Sequence, residues 1–479
     1  MWLGCALVLL AVWASGCATL NPGPRRENFA PFFIYSEDEK RGGVAFDALG
    51  PLFSYRKDDA EKDVAFRPFF HSQTQPDRYR LDYLYPLGGH EKTETRYHSY
   101  FFLVYSTSRD LTEEPTQKKE RNFLLAFWGK TNEGESYGGL FPIYGNLKKR
   151  FGRDELDFAL WPLYTHSREG EAHAYTLLWP FFSLYTGKRE GFKVWPLAGY
   201  DHKENDYRKF FFLWPFFDFE KRNLYTDDPT NVEMVFPLYV NMSSQKQVYR
   251  SVLFPFFSYT YDEFYNYKEW DVPWPFIMWG KGDGRYMFRI FPFYNRYQFN
   301  EFYSGYILFP AYWYTGDEDE NSRHRLNRYL LFSKDETRFW KKDLQEERRL
   351  RVWPFFYYRQ EKEGGVFLYW PCIIPFDLEG IERNWSPLLT LYEYRSTPEG
   401  DRESKLLWGF YVHRKNPTRS LFELSFLFSY YSAPEVKYFS FVKGLLEYLS
   451  DGPKRAMRIL YSPWPVRWES DTGKGKEDG

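Results

Sequence analysis

An aromatic residue followed by proline and two more large apolar residues recurs along almost the whole chain, and this recurrence limits what the chain can fold into. Copies include Trp161-Pro162-Leu163-Tyr164, Trp179-Pro180-Phe181-Phe182, Trp214-Pro215-Phe216-Phe217, Phe254-Pro255-Phe256-Phe257 and Trp353-Pro354-Phe355-Phe356. Weaker copies stand at Gly50-Pro51-Leu52-Phe53 and Arg67-Pro68-Phe69-Phe70, and late in the chain at Trp385-Ser386-Pro387-Leu388 and Trp408-Gly409-Phe410-Tyr411. Through the middle of the chain the prolines fall roughly 16 to 22 residues apart, and near-periodic self-similarity marks a repeat architecture.

The residues between the prolines set the fold class. With 41 Tyr and 48 Phe in 479 residues, the chain is rich in side chains that favour pleated surfaces. Apolar segments such as Ala174 to Tyr185 alternate with short polar loops such as Thr186-Gly187-Lys188-Arg189-Glu190-Gly191, which is the hairpin pattern. Loops that short do not allow parallel crossovers. The expected fold is all-β: an antiparallel meander of about 22 to 24 strands, each about ten residues long. No helix is expected, Lys341 to Arg349 being the one candidate for a short one.

Both parities are apolar at the centre of each expected strand: Leu178, Pro180 and Phe182 on one face, Trp179 and Phe181 on the other. Both faces would then be covered, in a closed or multilayered arrangement, barrel-like or propeller-like. Proline cannot donate to a ladder, so its repetition at mid-strand implies a built-in bulge or bend.

The N-terminus carries a second signal. Leu3 to Trp13 is an apolar run too short to span a bilayer, and Ala14-Ser15-Gly16-Cys17 follows it. These small residues before a cysteine resemble the lipobox of bacterial outer-membrane lipoproteins, although that family usually has Leu where this chain has Ala14. The resemblance implies cleavage before Cys17, acylation (palmitate among the acyl groups) of Cys17, and delivery to the outer membrane because Ala18 follows. It divides the chain into a signal peptide over 1–16, a lipidated N-terminus and tether over 17–30, a repetitive β domain over 31–466 and a disordered polar tail over 467–479. Cys17 and Cys372 would be the cysteines left, too few for a structural disulfide, and Cys372 lies in an apolar strand where packing is its expected role.

Motifs for chemistry are sparse. Gly134-Glu135-Ser136-Tyr137-Gly138 matches the hydrolase G-x-S-x-G pattern, but a polar loop precedes it and a strand follows, so a hairpin turn is expected. Asp317-Glu318-Asp319-Glu320-Asn321 begins like a calcium loop, yet Ser322 and Arg328 stand where such a loop needs Gly and Glu, and a solvated acidic turn is expected. The eight histidines show no metal-binding spacing; His166 and His173 could approach across a hairpin but read as surface residues flanking a loop. No cofactor or metal is called for. Aromatics beside loops, namely Tyr261, Tyr265, Tyr267 and Trp270, are the candidates for stacking on a ligand.

A net charge of −1 gives no electrostatic footprint for nucleic acid. The sequence points to a non-catalytic, lipid-anchored envelope protein with a structural or binding role. Its membrane contact would run through the N-terminal lipid, and envelope proteins, a glycan or a lipid are its candidate partners. Two alternatives stay open: a β-barrel inserted in the outer membrane or a conduit for lipid or another apolar cargo, and a glycan-active enzyme on a β scaffold.

Overall fold

The computed structural model describes residues 20–470, except 24, 39–41, 113–117 and 377. Cys17 and residues 471–479 therefore lie outside the described residues. The fold is all-β: 46 strands of 4 to 8 residues follow one another as an antiparallel meander, and the sheet is not closed.

The strand count is twice the expected one, and the proline explains why. Leu160-Trp161-Pro162-Leu163 is not mid-strand. It is a four-residue turn joining Arg153–Ala159 to Tyr164–Glu169, with Ala159 opposite Tyr164. Leu163 N–H donates to the Leu160 carbonyl at 2.8 Å, and the Trp161-Pro162 peptide is cis, as in a turn with cis-proline at its third position. The same turn recurs at Leu178–Phe181, Leu213–Phe216, Leu253–Phe256 and Leu308–Ala311. No mid-strand bulge is needed, because proline sits where the ladder asks for no donor. The double-faced apolarity belongs to the turns. The strands themselves alternate, as in the buried–half-buried–buried–exposed run of Ala172–Leu177.

Three further expectations are corrected. Lys341 to Arg349 is no helix: a turn follows the strand Ser333–Trp340, and the strand Gln345–Val352 begins within that stretch. Two short helices do occur, Glu379–Asn384 and Ser386–Leu389, so Trp385-Ser386-Pro387-Leu388 is not a repeat copy; its proline starts a helix. The regular structure also exceeds the expected domain limits, with Arg26–Phe29 already paired to Phe33–Asp38 and Val466–Glu469 paired to Lys454–Ile459.

The chain divides into two compact units: Met1–Pro86 with Phe332–Thr337 and Asp343–Gly479, and Leu87–Leu331 with Arg338–Lys342. In the first unit the N-terminal strands pack face-on against the C-terminal ones, making two layers. Arg26 Nε meets Glu423 Oε2 at 2.7 Å, with both side chains about 4% exposed, across 397 residues of sequence. Asn28 Nδ2 donates to the Gly409 carbonyl and to the same carboxylate, and Ser425 Oγ donates to the Ala30 carbonyl. A second staple joins Asp82 to Arg383 at 3.0 Å and to Asn384 at 2.9 Å, while Trp385 Nε1 donates to the Tyr85 carbonyl. A small apolar cluster of Tyr357, Tyr369 and Cys372 completes this core, with the Cys372 sulfur 3.6 Å from the Tyr369 hydroxyl. The second unit is built differently: each hairpin leans on the next one, and the ion pairs join strands close in sequence.

Candidate functional site

In a meander of short antiparallel hairpins, every second turn comes to the same edge of the sheet. The consequence in each unit is two edges of opposite chemistry. One edge carries turns such as Phe141–Ile143, Leu160–Leu163, Leu178–Phe181, Leu213–Phe216 and Phe254–Phe256, and none of these five holds a charged residue. The other edge carries turns such as Asp58–Glu61, Thr131–Glu135, Asp319–Ser322 and Thr397–Asp401, closed by carboxylate or backbone hydrogen bonds.

The apolar edge is a continuous hydrogen-bonded row. Trp161 N–H donates to the Pro142 carbonyl and Trp179 N–H to the Pro162 carbonyl, both at 2.7 Å. Trp214 repeats this contact to Pro196 at 2.7 Å, and Phe309 to Pro292 at 2.8 Å. In these turns the proline carbonyl of one receives the aromatic N–H of the next, while Trp195, Phe236 and Trp274 donate to the Phe181, Phe216 and Phe256 carbonyls of the turn before. The rings follow: Phe141, Trp161 and Trp179 lie 5.3 and 6.0 Å apart in succession, and Phe181, Trp195 and Trp214 5.8 Å apart.

The first residue of these turns has a cost. Leu160, Leu178, Leu213, Leu253 and Leu308 hold φ between 44° and 50°, the left-handed region in which a β-carbon is disfavoured by roughly 1 kcal/mol. Glycine would sit there without that penalty. Yet each position carries an exposed leucine, Leu160 and Leu308 at 57%. About half of each side chain stays in water within the fold, so a good part of its apolar surface contributes nothing there.

Two charges that fall in turns of this edge are turned away from it, while Glu379, in the connection between Val366–Trp370 and Tyr392–Ser396, stays exposed. Arg67 is 6% exposed, its guanidinium donating to Ser54 and to the Pro51 and Arg383 carbonyls. Lys443 reaches back to Glu27 at 3.5 Å and lies over the Phe29 ring. One residue into the following strand the character changes: Ser54, His71, Ser183, Asp218, Ser258 and Asn295 are buried and polar. That change belongs to the inward face; on the outward face exposed apolar side chains such as Leu184, Phe210, Phe219 and Trp279 continue into the strands.

The sequence-expected ligand aromatics do not converge. Tyr267 is fully buried, its hydroxyl bonded to Glu269 and its ring 4.0 Å under the Arg285 guanidinium, so it is a core residue and not a stacking surface. Burial and the Glu269 hydrogen bond hold its hydroxyl well above the ordinary phenol range. Strand alternation puts Trp270 on the opposite face, where it is 45% exposed and stacks 4.4 Å from Tyr259. Tyr261 is half-buried beside Lys268, and Tyr265 sits in a turn of the charged edge against Phe264 and Phe299.

His166 and His173 do meet: His166 Nε2 is 3.1 Å from His173 Nδ1, and its Nδ1 is 3.1 Å from Asp157 Oδ2. Beside them is a cleft of about 290 Å³ lined by Arg153, Glu169, His173, Arg189, Lys203 and Tyr207. Its charges are largely matched, Arg189 to Asp201 at 2.8 Å and Lys203 to Glu169 at 3.0 Å. Among the described residues no group of three or more His, Cys, Asp or Glu side chains could hold a metal ion. Gly134-Glu135-Ser136-Tyr137-Gly138 is a hairpin, with Thr131 N–H on the Glu135 carbonyl, and Asp319 closes a surface turn on Asn321 and Ser322.

No protein-family model matches the chain, and no curated protein proved similar to it.

Proposed function

We propose that the chain is a non-catalytic, lipid-anchored protein of the bacterial cell envelope whose hairpin array serves as an extended binding scaffold. The observation that carries this reading is the two-edged meander: uncharged Leu-Trp/Phe-Pro turns on one edge and charged turns on the other, repeated along each unit. Repeat arrays suit extended contacts because each unit packs on its neighbours and leaves a long surface free. The lipobox-like Ala14-Ser15-Gly16-Cys17 supplies the anchor in this reading.

An inserted barrel is the second reading, favoured by the many exposed aromatics. Its strands would need about 9 to 11 residues to cross a bilayer, against the 4 to 8 found. Metabolic labelling with palmitate, combined with envelope fractionation of the native chain and a Cys17→Ser variant, tests the proposal. Label on the native chain, with loss of both label and membrane association in the variant, supports the anchor. A native chain that takes no label and stays in detergent-extracted membranes with heat-modifiable gel mobility would favour the barrel.

A further inference from the structure

We infer that the apolar edge of turns seats on a phospholipid leaflet, with the left-handed leucines and their flanking Trp and Phe side chains immersed to the depth of one turn. This rests on the envelope reading above and names the surface that the scaffold uses. Four observations converge on lipid as the occupant.

In the second unit the described turns of this edge carry no charged residue while the opposite edge is charged; in the first unit Arg67 and Lys443 are drawn inward onto protein partners, and the connection between Val366–Trp370 and Tyr392–Ser396, with its exposed Glu379, is the charged stretch. A protein partner would be expected to leave some polar complement on such a rim, whereas hydrocarbon asks for none. Behind the turns the inward face is buried Ser, Asp and Asn, and the strands are 4 to 8 residues long. Strands that short fall below the spanning length of about 9–11 residues and suit an edge lying about 5–10 Å into the headgroup–acyl boundary. Trp and Phe dominate the tips, and Trp is a side chain that favours the membrane interface.

The leucines add the energetic case. A backbone that prefers glycine carries a half-exposed leucine at turn after turn, and a leaflet would take the remaining half of each side chain out of water.

Chain length is consistent too. In the first unit Arg26 comes nine positions after Cys17, at most about 30 Å of chain. The strand Arg26–Phe29 then runs directly into the first apolar turn, where Phe32 is 64% exposed. A lipid on Cys17 is therefore within reach of the bilayer on which that edge would rest.

The test uses the full chain carrying Cys17→Ser, so that no acyl chain is attached, with vesicles of phosphatidylethanolamine and phosphatidylglycerol. Sedimentation with the vesicles and quenching of tryptophan emission by lipids brominated near the headgroup end of the acyl chain are expected. Combining Leu160→Gly, Leu178→Gly, Leu213→Gly, Leu253→Gly and Leu308→Gly should keep the β circular dichroism and lower vesicle partitioning about a hundredfold or more. If the fivefold variant unfolds, the pair Leu160→Gly with Leu178→Gly is read instead, with a loss of about tenfold expected. Phe264→Ser, on the charged edge, should leave partitioning unchanged.

An unlipidated chain that neither sediments with vesicles nor shows lipid quenching overturns the inference. So does a concentration-dependent oligomer, undone by the leucine variants, in a chain inert to vesicles; that outcome would make the edge a contact between copies. The anchor is judged separately by the palmitate label, so either idea can fail while the other stands.

Discussion

The two units share one repeat and hold it together differently. In the unit formed by the two ends of the chain, segments separated by 301 to 397 residues are stapled by ion pairs, Arg26–Glu423 between strands and Arg383–Asp82 between a helix and a strand. In the unit formed by Leu87–Leu331 and Arg338–Lys342, each hairpin answers to its neighbours, and pairs such as Arg189–Asp201 join strands 12 residues apart. The repeat alone is thus enough to build a sheet. Bringing two distant stretches of it face to face requires specific buried charge, and a buried pair is far more sensitive to loss of one partner than to its absence altogether.

Breaking a staple should have the largest effect. Arg26→Ala would strand Glu423 in the interior and cost the first unit about 3–5 kcal/mol, read by urea unfolding. Region-resolved hydrogen exchange should show protection lost in Arg26–Phe29 and Ser420–Leu424 and kept across Leu87–Leu331. The equivalent cut in the second unit, Arg189→Ala, should cost about 1 kcal/mol and stay confined to two hairpins. Equal losses from the two variants would erase the contrast drawn here.

Close packing within the second unit is tested by Gly280→Ala. The new β-carbon would strike the Tyr267 hydroxyl end and the Glu269 side chain, for a loss of about 1–3 kcal/mol in thermal unfolding.

Acidity sharpens the comparison, because the key carboxyls titrate with opposite sign. Burial pushes the Glu423 carboxyl up, but Arg26, Lys443 and Asn28 outweigh it and hold the group below its usual range. Its contribution is therefore present above the ordinary carboxylate range and is lost as pH falls through the lowered value. Burial holds Glu269 and Asp271 above their usual range. What they contribute is present only in acid and is lost as pH rises through the raised values. Glu269→Gln should accordingly stabilise the second unit at pH 7 and make no difference below about pH 4, as followed by unfolding at both pH values. A variant equally stabilised at the two pH values would refute the assigned sign.

The smallest effect belongs to the edge. Leu160→Gly alone should cost no more than about 1 kcal/mol, since relief of the left-handed backbone offsets much of the lost partial burial and the greater freedom of the unfolded chain. A large loss would mean that the leucine packs within the fold, and would remove one support for the lipid-facing reading.

Much of the fold was legible in the sequence. Tyr and Phe in short runs between polar loops gave the all-β antiparallel meander, and the aromatic-proline period gave the repeat. What the sequence hid was that the period marks turns. Turns are ordinarily recognised by polar residues with glycine or proline. Here Leu160-Trp161-Pro162-Leu163 is as apolar as any strand core, so its proline looked like an interruption when it was the punctuation. Reading each apolar run as one strand halved the count and made both faces seem covered. The staples were invisible for another reason: nothing local to Arg26 or Asp82 marks a partner hundreds of residues away. Tyr267 was misplaced by a parity that only the true strand start, Tyr267–Asp271, could set.

The carbonyl-to-amide step from proline to the next aromatic residue, seen from Pro142 to Trp161 and from Pro162 to Trp179, gives the hairpins of that stretch the same connector on both sides. Excision of Leu160 through Leu177 would bring Trp179 N–H against the Pro142 carbonyl, a contact of the kind already present at either end. Length is then a freely adjustable dimension of this molecule, altered a hairpin at a time like links in a chain. Ancestors could have grown or shortened by simple duplication or loss, without having to invent a new interface.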